Sequence, residues 1–265
     1  MRKSIISLGL ALGLSAGLAT GAFTNDAGAS SGAPPASQDW TFTGLFGHYD
    51  RAQLKRGFQV YQEVCAACHS LRQIFYRNLT EIGFTEDQVK KIAAEFEVPA
   101  GANEEGETHN DGEPIMRAAK PFDKLIRPYA NDQAARAANN GALPPDLSLM
   151  TKARKGGADY LHALLTGFSD APEGFKLQEG MSYNVYFPGG QIAMAAPVDD
   201  DAVEYADGTK ATKDQISRDV AAFLTWSAEP ELEERKRIGL KVMIFLIIFT
   251  AMLYAVKRRV WAKLH

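Results

Sequence analysis

Cys65-Ala66-Ala67-Cys68-His69 is the stretch that decides how this chain is read. Its two cysteines are the only ones in 265 residues, and a histidine stands directly behind the second. That spacing is the signature of covalent haem attachment. On a helical turn both sulfurs lie on one face, where each can add to a vinyl group. The adjacent imidazole then swings under the ring to ligate iron. A structural zinc site would need four ligands and usually a second cysteine pair, which the sequence lacks. A thioredoxin-like redox pair would follow a strand in an α/β pattern, whereas the flanks here have helical spacing. The motif therefore predicts one haem c on Cys65 and Cys68, with His69 on the iron.

Working outward, Asp50 and Gln53 read as a capping-box-like pair. Leu54, Phe58, Tyr61 and Cys65 follow at helical spacing, so one helix delivers the first cysteine at its end. Downstream, Thr85 with Gln88 opens a second helix running to Phe96. Residues 98–114 read as an exposed loop rich in glycine and acids. Asn131 to Asn139 and Gly157 to Thr166 read as short helices, and residues 180–197 as irregular. Thr212 with Gln215 opens a helix carrying Val220, Phe223, Leu224 and Trp226. Strand signal is slight. The fold class is mostly α: a c-type cytochrome domain with insertions, plus one C-terminal transmembrane helix.

The chain ends speak for a membrane. Residues 1–22 have the form of a secretory signal: Arg2 and Lys3, then a short uncharged stretch from Ile5 to Leu18. Thr20-Gly21-Ala22 and Ala27-Gly28-Ala29 are candidate cleavage sites. A Gly/Ala/Ser/Pro-rich linker over 23–39 is expected to be poorly ordered. The haem domain spans 40–234. A transmembrane anchor occupies 235–260, and 261–265 form a cytoplasmic tail. From Ile238 to Val260 the 23 residues reach about 34 Å as a helix, enough to cross a bilayer core. Tyr254 and Trp261 suit an aromatic belt. Four Lys or Arg flank the span on either side, so charge leaves its orientation open. The signal sequence orients it, with the haem domain on the periplasmic side of a bacterial inner membrane.

The formal net charge of −3 conceals an asymmetry. Residues 1–22 and 235–265 contain no Asp or Glu. The part between carries 19 basic and 32 acidic residues, a net of −13. Such a domain repels nucleic acid and steers cationic partners toward itself. Between Ile92 and Met116 lie Glu95, Glu97, Glu104, Glu105, Glu107, Asp111 and Glu113, with no Lys or Arg. Asp199-Asp200-Asp201 and Glu204 form a second acidic cluster.

The second axial ligand decides what the iron does. Closure by methionine raises the potential and favours electron transfer, whereas an open position would permit ligand chemistry. Met116, Met150, Met181 and Met194, with His48, His109 and His162, are the candidates. Met194 has the most suitable surroundings, in Ile192-Ala193-Met194-Ala195-Ala196-Pro197, where small neighbours let the backbone approach a haem. Met181, after Gly180, is its rival. Met150 reads as core packing, and His162 as a satisfied histidine on a helix.

Several segments resemble the cytochrome c1 family, the haem subunit of the cytochrome bc1 complex (ubiquinol–cytochrome c oxidoreductase). They are Trp40-Thr41-Phe42-Thr43-Gly44-Leu45-Phe46-Gly47, Arg56 to Cys65, and Ala135 to Ser148 with its Asn139-Asn140-Gly141-Ala142-Leu143-Pro144-Pro145-Asp146 core. Tyr183 to Gly190 and Asp219 to Trp226 complete the set. The resemblance implies Met194 as the second axial ligand and Arg136 as the partner of a haem propionate, a bidentate charge-assisted pairing. It implies partnership with cytochrome b and the Rieske iron–sulfur protein, cytochrome c as electron acceptor, and a dimeric complex. Glu104, Glu105 and Glu107 are then candidates for docking cytochrome c. Some bacterial relatives carry an extra disulfide between the haem motif and the Met ligand; this sequence has no cysteine to form one. Two other readings of the residues stay open here: a membrane-anchored monohaem carrier outside that complex, and a haem enzyme with an open iron.

Overall fold

A computed structural model describes residues 32–262. The signal sequence, both candidate cleavage sites, the first part of the linker and residues 263–265 lie outside the described residues. The fold is organised around two helices far apart in sequence. Helix α1 (Arg51–Glu63) begins where the Asp50 carboxylate accepts hydrogen bonds from the Ala52 and Gln53 amides. It buries Leu54, Gly57, Phe58 and Tyr61. Their partner is α6 (Lys213–Ala228), capped by Thr212 and buried along Ile216, Val220, Phe223, Leu224 and Trp226.

The two helices meet at a contact only glycine permits. A Cβ on Gly57 would lie 2.1 Å from the Asp219 carbonyl oxygen and 2.6 Å from the Phe223 Cβ. Beside that contact the Asp219 carboxylate is fully buried and receives the Arg56 Nε at 2.8 Å. Gln215 Nε2 donates to its other oxygen at 2.8 Å, and Arg56 also holds Asp207. A buried carboxylate is tolerated only when paired and hydrogen-bonded in this way. Phe223 stacks its edges against Phe58 and packs on Tyr61 and Trp226, which fills the core between the helices.

Around this crossing lie a 3₁₀ turn (Cys65–Ala67), a second 3₁₀ segment (Tyr76–Ile82) and α2 (Glu86–Ala94). The expected Thr85–Gln88 capping box forms with both of its hydrogen bonds. Further on come α3 (Asp132–Ala138), α4 (Met150–Ala153) and α5 (Gly157–Thr166). Helix α5 packs on α6, and its buried His162 places Nε2 2.8 Å from the Asp214 carboxylate, the satisfied histidine that was expected.

Three details depart from the sequence reading. Helix α2 stops at Ala94, and residues 97–118 form a nested antiparallel ribbon rather than a plain loop. In it β1 (Glu97–Pro99) pairs with β4 (Met116–Ala118), and β2 (His109–Asn110) with β3 (Glu113–Pro114). Strands of two or three residues without apolar alternation leave no periodic signal. Another pair, β5 (Ser182–Tyr183) with β6 (Gln191–Ile192), crosses the stretch read as irregular. Residues 32–39 run as an extended strap along the domain instead of a loose linker. The Ala33 amide donates to Val185, the Gln38 amide to Asp159, and Arg218 to the Gln38 side chain.

Helix α7 (Leu232–Trp261) is a continuous 30-residue rod. Its base is fastened to the domain: Arg51 grips Glu233 with two bonds of 3.0 and 2.7 Å, and the Tyr49 amide donates to the same carboxylate. Beyond Leu232 its apolar side chains are exposed from Ile238 to Trp261, and the helix is long and apolar enough to cross a membrane.

Candidate functional site

The end of α1 runs directly into the cysteine turn. The Cys68 amide donates to the Cys65 carbonyl at 3.1 Å, and the His69 amide to the same oxygen at 2.9 Å. In a 3₁₀ turn residues i and i+3 eclipse one another, so both sulfurs project to one side. Both thiols are free, and Cys65 packs against the core. Burial pushes its thiol up to about 12, so it is uncharged.

His69 follows, and its ring is fixed. Nδ1 lies 2.8 Å from the Pro145 carbonyl oxygen. A carbonyl only accepts, so Nδ1 carries the hydrogen and Nε2 keeps its lone pair free for a metal. Burial depresses the tendency of this imidazole to protonate, partly offset by the Pro145 bond and by Asp146. The Tyr61 hydroxyl donates to the His69 carbonyl, which ties the residue back to α1.

That contact is one stitch in a seam between residues 69–73 and 145–148. The Leu147 amide donates to the Ser70 carbonyl. Asp146 accepts from the Ser70 hydroxyl, the Arg72 amide and the Ser148 amide. The Gln73 amide reaches the Ser148 hydroxyl, and the Ser227 hydroxyl of α6 holds the Ser148 carbonyl. Burial alone would raise the Asp146 carboxyl, but the hydrogen bonds from Ser148, Arg72 and Ser70 outweigh it and hold the group below the usual carboxylate range.

A chain of contacts leads away from Cys68. The Tyr129 hydroxyl is 3.9 Å from its sulfur, and Asn139 Nδ2 donates to that hydroxyl at 3.1 Å. Asn139 closes α3. Elsewhere the Gln178 amide donates to the Gln191 side chain in β6, and the half-buried Met194 follows two residues after that strand. Fully buried Asn184 shapes the loop before β6. Its Oδ1 accepts from the Tyr186 and Phe187 amides, while its Nδ2 donates to Leu164 of α5.

With this geometry in place, known proteins supply the context. The sequence model of the cytochrome c1 family matches residues 40–264. The chain belongs to the cytochrome c1 family. Cytochrome c1 of Rhodospirillum rubrum is 48% identical over 240 residues, covering 84% of this chain and 86% of that protein. The mitochondrial cytochrome c1 haem protein of Saccharomyces cerevisiae is 48% identical over 235 residues, 88% of this chain and 74% of its own. The Candida albicans cytochrome b-c1 complex catalytic subunit is 48% identical over 234 residues, 88% and 79% of the two chains.

Within this cytochrome c1 fold the candidate ligands separate. Met150 is buried in the hydrophobic core, and His162 is engaged with Asp214. Met116 sits exposed on the ribbon, where His109 bonds Thr108. Met181 and Met194 are both half-buried and flank the β5–β6 pair, Met181 one residue before β5 and Met194 two residues after β6. Arg136 is exposed, and its Nη1 donates to the Gly141 carbonyl, so here it closes its own helix. Glu104, Glu105 and Glu107 stand exposed on the ribbon, far in sequence from the cysteine turn. Tyr61, Tyr129, Asp146 and Asn184 are structural participants that sequence reasoning passed over. A tyrosine one turn before the first cysteine was the available signal for Tyr61; the other three depend on contacts between distant segments.

Proposed function

We propose that this cytochrome c1 family member is the haem-bearing electron-transfer subunit of a ubiquinol–cytochrome c oxidoreductase. One haem c is attached covalently through Cys65 and Cys68, with His69 and Met194 as axial ligands. The observation that carries this reading is the His69 Nδ1 contact with Pro145, which presents an imidazole with Nε2 free beside two free thiols on one turn. The donor set fits: imidazole and thioether ligation favours a closed, high-potential iron. The relatives named for haem and for the cytochrome b-c1 complex support the same assignment.

Haem supplies a one-electron carrier when bound; this chain's residues determine its placement. Cys65 and Cys68 hold it to the end of α1. The seam through Asp146 keeps His69 from rotating, and the Asn184 loop holds the segment before Met194. Arg136 has further guanidinium donors for a propionate beyond its Gly141 bond. The electron is received from the Rieske iron–sulfur protein and given to cytochrome c, with cytochrome b as membrane partner in a dimeric complex. The exposed acidic ribbon, including Glu104, Glu105 and Glu107, steers a basic cytochrome c by long-range attraction. Helix α7 is the anchor, and the haem domain faces the periplasm of a bacterial inner membrane.

The test is purification of the full chain from its native membrane with a pyridine haemochrome spectrum and identification of co-purifying subunits. A c-type spectrum with one haem per chain, together with cytochrome b and a Rieske protein, is expected. A non-covalent haem, or a chain isolated without those two subunits, would count against the assignment.

A further inference from the structure

Where the domain meets α7, residues 42–47 form a small closed loop with an apolar tip. Phe42 is buried, stacked on Trp40 and packed on Tyr49. Its two flanks are locked: the Thr43 amide and hydroxyl donate to the Trp40 carbonyl, and the His48 amide to the Thr41 carbonyl. Gly47 lets the loop close, since a Cβ there would sit 1.9 Å from the Thr43 carbonyl oxygen. Between these fixed points Leu45 and Phe46 project into solvent, 60% and 77% exposed. An apolar pair held outward by a rigid frame marks an interaction surface rather than a frayed segment.

The loop lies against the start of the apolar rod. Lys236 Nζ donates to the Phe42 carbonyl at 2.7 Å and to the Gly47 carbonyl at 3.2 Å, so one side chain of α7 brackets the tip from both ends. Ile238, the first exposed apolar residue of the rod, is only two residues further, about 3 Å along the helix axis. The tip therefore sits at the level where the rod becomes apolar. Arg235 and Arg237 stand at the same level, ion-paired with Glu229 and Glu234.

We infer that Leu45 and Phe46 form a second membrane foot, inserted into the interfacial layer of the same leaflet that α7 enters. The occupant is lipid because Lys236 fastens the loop that carries this exposed apolar pair to α7 two residues before its exposed apolar stretch begins at Ile238. Two attachment points, a rod and a lateral foot, fix the tilt of the haem domain over the bilayer, which one helix alone leaves free to swivel. The inference rests on the reading of α7 as a membrane anchor.

The test uses the full-length, haem-loaded chain in nanodiscs of phosphatidylcholine and phosphatidylglycerol. A nitroxide is placed in turn at Phe46→Cys, Leu45→Cys, Ile244→Cys on the rod and Lys90→Cys on α2. Relaxation by oxygen is compared with relaxation by a water-soluble nickel complex. Expected is an oxygen-to-nickel ratio at residues 45 and 46 several-fold above that at residue 90 and approaching that at residue 244. Ratios at 45 and 46 equal to that at 90, with 244 still high, would overturn the foot while leaving the anchor intact. A low ratio at 244 would overturn the anchor reading and the foot with it. Exclusion of both relaxants, or protection that arises only in the assembled complex with cytochrome b, would assign the tip to a protein partner and overturn the lipid assignment.

Discussion

The imidazole of His69 and the carbonyl of Pro145 are 76 residues apart in sequence and 2.8 Å apart in space. Everything the candidate iron ligand can do depends on that approach, because it selects the tautomer. The approach is itself a product of the seam in which Asp146 takes hydrogen bonds from Ser70, Arg72 and Ser148.

Asp146→Ala should therefore loosen the His69 segment without touching any proposed ligand. Three hydrogen bonds to a carboxylate are lost and their donors left partly buried, which should lower stability by about 2–4 kcal/mol. Thermal unfolding of the purified variant reads this directly. An unchanged melting temperature would show that Leu147, Ser148 and Tyr61 suffice to hold the segment.

At the helix crossing, Gly57→Ala places a methyl group against backbone, with 2.1 Å to the Asp219 oxygen. Neither backbone can yield without separating α1 from α6 and exposing the Arg56–Asp219 pair. A loss of about 3 kcal/mol or more is expected, at the upper end of what overpacking costs. Denaturant unfolding measures it. Ala at the exposed Lys91 of α2 serves as the control and should stay within about 0.5 kcal/mol of the parent.

These two sites mark how much was legible in the sequence. The cysteine turn, the caps at Asp50, Thr85 and Thr212, and the helices over 51–63, 157–166 and 213–228 rest on local spacing, and local spacing is visible in one chain. The partners of His69 and Asp219 are not, because nothing in a single sequence says which distant segment folds against which. The ribbon over 97–118 escaped for another reason: its strands are too short and too polar to leave a period. The strap over 32–39 has a linker's composition, and contacts with Val185 and Asp159 alone order it.

Acid should weaken the fold over a definable range. The Asp207 carboxyl is drawn down to about 2 by the Thr209 amide and by Arg56, and Asp123 and Glu233 are held low beside Arg117 and Arg51. The native fold thus favours the ionised forms. The stability they contribute is complete above the ordinary carboxylate value of about 4 and is lost as pH falls through the depressed values toward about 2. Unfolding free energy followed from pH 5 downward should fall in that window. Asp207→Asn should flatten the slope at its acid end; an identical slope would remove Asp207 from the linkage.

The ribbon's charge should act on rate rather than on structure. Reduction of a basic cytochrome c by the assembled complex should slow steeply as salt is added, because steering is screened beyond about 10 Å at 0.1 M. Replacing Glu104, Glu105 and Glu107 together by Gln should lower the low-salt rate and flatten the salt dependence, leaving the melting temperature unchanged since all three are exposed. A triple variant with the parent's salt dependence would move docking elsewhere, with the cluster at Asp199 to Glu204 the next to test.

The proposed second ligand separates from its rival by substitution. Met194 and Met181 lie at the two ends of the β5–β6 pair, but only Met194 stands among small residues that leave the backbone room to approach a macrocycle. Met194→Ala should abolish the long-wavelength methionine–iron absorption of the oxidised protein. It should also lower the midpoint potential by on the order of hundreds of millivolts, within the ~0.8 V span that axial ligands command. Met181→Ala should leave both signals in place and cost only packing, about 1–3 kcal/mol for a half-buried side chain. The reverse pattern would transfer the ligand role to Met181. Retention of the absorption in both single variants would exclude either methionine and direct the search to a ligand outside this segment.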